Sequence, residues 1–241
     1  MRRTLKSFYR LNLGITKCYL LKCPEGYLLI DTSYANAYDR FRRAIDALGV
    51  DLNQIRYLLL THHHDDHAGF ATRLVEESGC VTIFHRKALS PLSRGTSEET
   101  MKPVNRCIET VFSLFRIFHR EFNYPRLTGA ENSILVSGDD SDTLNHIGIE
   151  GEILHTPGHS ADSISVVLSD GNAFVGDAAM NFLNFCRIKH RPIFVEDIDS
   201  VFASWKKLLQ HGAKWIYPAH GRPFSADRLT GYRAGDNSNN S

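Results

Sequence analysis

The sequence predicts an α/β fold, with sheets covered by helices, and three observations carry that reading. Short apolar runs alternate with stretches of helical period in both halves of the chain. Gly, Pro and Asp-Gly punctuate the joins. One run, "IRYLLLT" at 55–61, is continuously apolar, as expected for a strand buried on both faces.

In chain order, "CYLLKC", "PEG" and "YLLIDTSY" (18–34) read as a β-hairpin. "NAYDRFRRAIDALG" sets Tyr38, Phe41, Ile45 and Leu48 at helical spacing and stops at Gly49. After "IRYLLLT", "AGFATRLVEESG" is a helix ending in glycine, and "CVTIFHR" is a strand. The second half repeats the style. "GIEGEILHT", "SISVVLSD" and "NAFVGD" are strands, "DIDSVFASWKKLLQHG" is an amphipathic helix, and "KWIYPAHG" is a last strand running into a loop.

Residues 87–135 interrupt the alternation. "SEETMKPVNRCIETVFSLFRIFHREFNY" spaces Met101, Val104, Ile108, Phe112, Phe115, Phe118 and Phe122 three or four apart, which predicts one helix with a broad aromatic stripe and Pro103 near its start. Core packing, a lid over a pocket and the interface of a homodimer are three uses of such a stripe. The expectation is a single domain, 1–241, carrying this lid-like helical insertion.

Composition narrows the class of function. A net charge of +1 gives no reason to expect nucleic acid as a partner, and no apolar run approaches the length of a membrane span. A small-molecule substrate is the expected partner. Cys18, Cys23, Cys80, Cys107 and Cys186 are scattered, odd in number and without a Cys-x-x-Cys pair, so reduced thiols in a cytoplasmic protein are expected. The start "MRRTLKSFYRLNLGITK" has no sustained apolar stretch, which fits the same expectation.

Twelve histidines direct attention to metals. In "THHHDDH" (61–67) a strand leads in, so His62 and His64 project to one side, while Asp66 and His67 come where the chain turns into a helix. Neutral imidazoles with one hard carboxylate suit zinc, iron or manganese better than calcium. Four donors this close do not easily share one ion, which argues for two. His159 in "HTPGHS", Asp177 in "FVGDAA" and His220 in "YPAHGRPF" offer further donors at the ends of strands, where α/β proteins usually build sites.

The ordered set "THHHDDH", "HTPGHS", "VGDA" and "PAHG", with "YLLIDT" in support, resembles the metallo-β-lactamase superfamily of binuclear metallohydrolases. The resemblance implies a four-layer αββα sandwich with the metals at one edge. It implies one ion on His62, His64 and His159, a second on Asp66, His67 and His220, and Asp177 bridging them. True β-lactamases commonly have cysteine in place of Asp177, so the chain looks closer to the glyoxalase II and lactonase-like branches. Two divalent ions, zinc first and iron or manganese as alternatives, would share a hydroxide that attacks a carboxylic ester, thioester or lactone, with Asp66 moving protons. The alternatives on this fold are a mononuclear iron oxygenase and a phosphodiesterase. "AAMNFLNFCRIKHRPIF" follows the bridging aspartate and is both apolar and basic. Met180, Phe182, Phe185 and His190, with Phe115 and Phe118 of the insertion, are therefore the expected substrate contacts.

Overall fold

Side chains along Lys17–Cys23 (β2) alternate between two apolar environments, and that alternation sets the architecture. Cys18 and Leu20 face one cluster while Tyr19 and Leu21 face another. The computed structural model describes residues 7–97, 101–115 and 123–231. Within them β2 sits between Phe8–Asn12 (β1) and Gly26–Ile30 (β3), both antiparallel to it. Three strands then extend the sheet in parallel: Ile55–Leu59 (β4), Val81–His85 (β5) and, beyond the insertion, a strand at 134–136.

Parallel neighbours need crossovers. Tyr38–Asp46 (α1) joins β3 to β4 and buries Tyr38, Phe41 and Ile45. Between β4 and β5 lie the single turn Asp65–Ala68 (α2) and Ala71–Ser78 (α3). Gly79 closes α3 in the left-handed region at φ 69°.

The insertion departs from the sequence-based expectation. Leu89–Arg94 (α4) is its first helix, and Lys102–Pro103 forms a short strand (β6), so Pro103 lies in extended backbone rather than in a helix start. Among the described residues the helix proper is Arg106–Phe115 (α5). The expected continuation through Phe118 and Phe122 lies outside the described residues. Ile134–Val136 (β7), placed inside the insertion from sequence, is the outer strand of the first sheet, paired with β5. Cys107 and Cys186 form a disulfide. The expectation of five reduced thiols is corrected for this pair; Cys18, Cys23 and Cys80 are free and buried. Local spacing did not reveal the bond, because its partners lie 79 residues apart.

After the short helix Thr143–His146 (α6) comes the second sheet. It contains Gly151–His155 (β8), Ile164–Leu168 (β9), Asn172–Gly176 (β10), Trp215–Pro218 (β12) and Phe224–Ser225 (β13). The order is β13-β12-β10-β9-β8, with only β10 and β12 parallel. Phe194–Val195 (β11) stands apart, pairing with β6. The crossover helix Ile198–Gln210 (α7) starts at Asp197, whose carboxylate accepts the amides of Asp199 and Ser200.

The two sheets pack face to face. Tyr19, Leu21, Leu28, Ile30, Leu59 and Ile83 meet Ile153, Ile164, Val166 and Phe174 between them. Outside the first sheet, Leu20, Leu29 and Leu58 pack on Phe41, Ile45 and Leu74 of the helices; outside the second, Val167, Val175 and Ile216 pack on Val201, Trp205 and Leu208 of α7. Helix, sheet, sheet, helix is the four-layer αββα sandwich. Leu58 and Leu59 face opposite layers, which is why this strand is apolar throughout.

Phe174 links the inner faces, its ring centroid 5.0 Å from Phe8, 4.9 Å from Tyr19 and 5.2 Å from Tyr217. Phe174→Ala should therefore cost about 3–5 kcal/mol, read as a lower urea midpoint with an unchanged slope. A loss below about 1 kcal/mol would show that the aromatic group is not what joins the sheets.

Candidate metal centre

Every candidate ligand follows the carboxyl end of a strand. His62 and His64 come after β4 in the first sheet; His159, Asp177 and His220 come after β8, β10 and β12 in the second. The donors therefore converge where the two sheets share an edge. His64 is extended (φ −66°, ψ 155°) and acts as the N-cap residue of α2, whose one turn then presents Asp66 and His67. Two glycines allow the close approach. A Cβ on Gly69 would lie 2.4 Å from the Asp65 carbonyl oxygen, and one on Gly176 (φ 50°) 2.3 Å from the Thr61 hydroxyl.

Three imidazole nitrogens meet on one side. His159 Nε2 lies 3.2 Å from His62 Nε2 and 3.1 Å from His64 Nδ1. His159 donates its Nδ1–H to the Phe194 carbonyl at 2.9 Å, so its Nε2 carries a lone pair aimed at the other two rings. On the other side His220 Nε2 is 3.0 Å and His67 Nε2 3.7 Å from Asp66 Oδ2. Asp177 stands between: Oδ2 is 3.6 Å from His159 Nε2, and Oδ1 is 3.4 Å from His67 Nε2 and 3.3 Å from His220 Nε2.

These residues fit a divalent cation. The sets His62/His64/His159, His62/His67/Asp177 and Asp66/His67/His220 each bring donor atoms within 4.8 Å of one another, all buried. His67 Nε2 and Asp177 Oδ1 are buried without a hydrogen-bond partner, and converging lone pairs repel unless a cation lies among them. Nitrogen and carboxylate oxygen without thiolate suit a first-row transition ion.

The electrostatics differ between the halves. Burial, reinforced by the neighbouring imidazoles, lowers His62 and His64 well below the usual histidine range and so favours their neutral forms. Burial also lowers His159. At His67 and His220 burial again opposes the charge, but Asp66 and Asp177, with Asp31 beside His67, outweigh it and raise both above the usual value. Burial would raise Asp66 and Asp177. The charges of His67 and His220 reverse that, holding Asp66 far below the carboxylate range and Asp177 at about 2.

Several supporting residues were not assigned from sequence. Asp31, noted only as part of "YLLIDT", accepts the Thr61 amide at 2.7 Å, the Thr61 hydroxyl at 2.8 Å and His67 Nδ1–H at 2.9 Å. Thr16, at the tip of the first hairpin, donates to Asp66 Oδ2 at 3.2 Å; nothing in its local sequence marks it. His63 is buried and bonded through Nδ1 to Asp162 at 3.0 Å. Ser97 accepts the Asp65 amide at 3.0 Å.

The expected substrate contacts divide. Phe182 is half-buried with its ring 6.0 Å from that of His220, and Phe185 is 71% exposed. Met180 is corrected: it is buried against Ile108, Cys186 and Ile188 and offers no surface. His190 is half-buried. It donates Nδ1–H to the Met180 carbonyl at 3.0 Å and stacks on Phe224 at 4.0 Å. Phe115 ends α5, and Phe118 lies outside the described residues.

A family model for the metallo-beta-lactamase superfamily matches residues 11–220. A lactamase-like protein of Pestalotiopsis microspora is 24% identical over 215 residues, covering 86% of this chain and 49% of its own length. An atrochrysone carboxyl ACP thioesterase of Aspergillus fumigatus is 25% identical over 221 residues, covering 88% and 52%. The chain thus spans about half the length of these curated relatives. The solved structure of a metallo-beta-lactamase family protein of Thermus thermophilus superposes with a TM-score of 0.65 at 20% identity, covering 94% of this chain and 77% of that one, a likeness of fold.

Two outcomes follow from this geometry. Asp31→Asn keeps the shape but removes the acceptor that orients His67, so affinity for zinc should fall about 10–100-fold in chelator competition; unchanged affinity would mean His67 is held otherwise. The carboxylates around His67 and His220 favour their protonated forms in the ion-free protein, and an ion competes with protons for these two rings. Affinity should therefore rise with pH above the usual histidine value of about 6.5, with protons released on loading. Calorimetry in buffers of different ionisation enthalpy measures that release, and its absence would contradict the assignment.

Proposed function

The chain belongs to the metallo-β-lactamase superfamily, and from that premise we propose that it is a binuclear metal-dependent hydrolase of carboxylic esters, thioesters or lactones carrying an apolar acyl portion. The observation that carries the reading is Asp177, whose two oxygens face different donor sets, Oδ2 toward His159 and Oδ1 toward His67 and His220. A carboxylate so placed suits two ions. His62, His64 and His159 would hold one, Asp66, His67 and His220 the other, and zinc fits this donor set with iron or manganese as substitutes. Such a pair, when bound, brings the pKa of a water to near neutrality and polarises the scissile carbonyl.

The chain's own residues supply the remainder. Asp66 takes the proton of the attacking water and returns it to the leaving alcohol or thiol. The positive charge of the ion it helps to hold would keep its carboxyl ionised despite its burial. Thr16 orients it through Oδ2. Phe182, beside His220, gives an acyl chain an apolar surface next to the reacting centre. The name of the Aspergillus fumigatus relative supports the thioester among the three bonds.

Metal-replete protein assayed on esters, thioesters, lactones and phosphodiesters should turn over one of the carbonyl substrates. Activity confined to phosphodiesters would sink the proposal. Metal analysis should find two ions per chain, whereas one iron would point to an oxygenase. Asp177→Ala should release both ions and reduce turnover beyond the roughly 10–100-fold that outer-shell changes cost. The rate should rise through an apparent pKa of about 7 and then level off, with metal content followed in the same samples.

A further inference from the structure

We propose that the inserted segment is a brace for one half of the metal centre: through Tyr124 and Phe112 it positions His62, His64 and His159, while the other half is held by the first hairpin and the end of β3. The inference rests on the binuclear reading above. Two independent contacts carry it.

The first contact is at the exit of the insertion. The Tyr124 hydroxyl, with the residue only 7% exposed, donates to the carbonyl oxygen of His63. That carbonyl lies in the backbone between His62 and His64. Tyr124 is itself anchored, its amide donating to Gly95 at the end of α4 at 2.9 Å, while Asn123 bridges to Thr96.

The second contact is at the entrance. β6 pairs with β11, and the Val104 amide donates to the Ile193 carbonyl at 2.9 Å. The Phe112 ring meets Phe194 edge-on at 4.3 Å. The Phe194 carbonyl is the group that accepts His159 Nδ1–H, and that bond orients Nε2 toward His62 and His64. The Cys107–Cys186 disulfide, the bond from Asn105 Nδ2 to the Cys186 carbonyl at 2.8 Å and the packing of Ile108 on Met180 and Ile188 fasten α5 in this position.

The other half draws on different elements. Asp31 orients His67, Thr16 bonds Asp66, and the Lys17 amide donates to the Ala219 carbonyl next to His220 at 2.8 Å. Among the described residues the insertion's hydrogen bond to α2 is at Asp65, through Ser97, and Asp65 is not among the candidate ligands. Removing the brace should therefore weaken one ion and leave the other.

The test uses full-length, disulfide-intact protein and stepwise zinc titration against a chromophoric chelator. Phe112→Ala and Tyr124→Phe should each weaken one of the two binding constants by about 10–100-fold and leave the second within about twofold; Phe112→Leu should recover part of the loss. Two hosts locate the effect. In His220→Ala, where the braced half remains, Phe112→Ala should show its full loss; in His159→Ala it should add nothing further. Equal weakening of both constants, an additive loss in His159→Ala, or unchanged constants in both variants would overturn the brace. A wild-type chain that takes up fewer than two ions would instead overturn the binuclear reading beneath it, so the two failures are distinguishable.

Discussion

The Asp31 carboxylate is the interaction on which the edge of the sandwich depends. It is 2% exposed, and an ion buried so deeply costs several kcal/mol unless its oxygens are bonded. Here they are, to the Thr61 amide, the Thr61 hydroxyl and His67 Nδ1. The same residue donates its amide to Leu59, and it adopts φ 58°, a left-handed conformation that aspartate tolerates better than most residues. One carboxylate thus fixes the end of β3, the end of β4 and the ring plane of a ligand on α2.

Thr61 passes that constraint to the second sheet. Its carbonyl accepts the Ile164 amide at 2.8 Å, joining the two sheets beside the ligands. Its hydroxyl also stands 3.1 Å from His62 Nδ1 and occupies the space that a side chain on Gly176 would need. Asp177 therefore follows a residue that has to be glycine if the two loops are to meet. Position at this edge comes from backbone closure and buried polar bonds; the apolar core below supplies the rigidity against which they act.

The centre is asymmetric in its support as well as its charge. On one side, among three imidazoles whose charged forms burial disfavours, His159 donates to the Phe194 carbonyl and the His63 carbonyl accepts from Tyr124. Two carboxylates and two raised histidines on the other are backed by a carboxylate and a hydroxyl. A proposed substrate wall at Phe182 lies on the latter side, next to His220. The proton transfer proposed for Asp66 would take place on that side.

Terms that act over a few residues were readable from sequence. The period of the apolar positions marked the hairpin, the long helices and most strands, because each face of each layer buries its own set. The continuously apolar run at β4 was readable because both its faces are covered. The candidate donor clusters were readable because the donor type is written in the residue and each lies just past a strand. What only the tertiary structure decided depends on partners far apart in the chain. The bonds from Thr16 to Asp66 and from His63 to Asp162 span 50 and 99 residues. The disulfide spans 79, and the short strands β6 and β11 exist only because they find each other. The aromatic stripe of the insertion suggested one long helix, yet pairing of Lys102–Pro103 with Phe194–Val195 drew its start into a strand. Met180 had a side chain fit for a pocket, and packing buried it against Ile108, Cys186 and Ile188. Local propensity is a property of a segment, whereas the burial of a side chain and the identity of its partner are set by how the sheets stack.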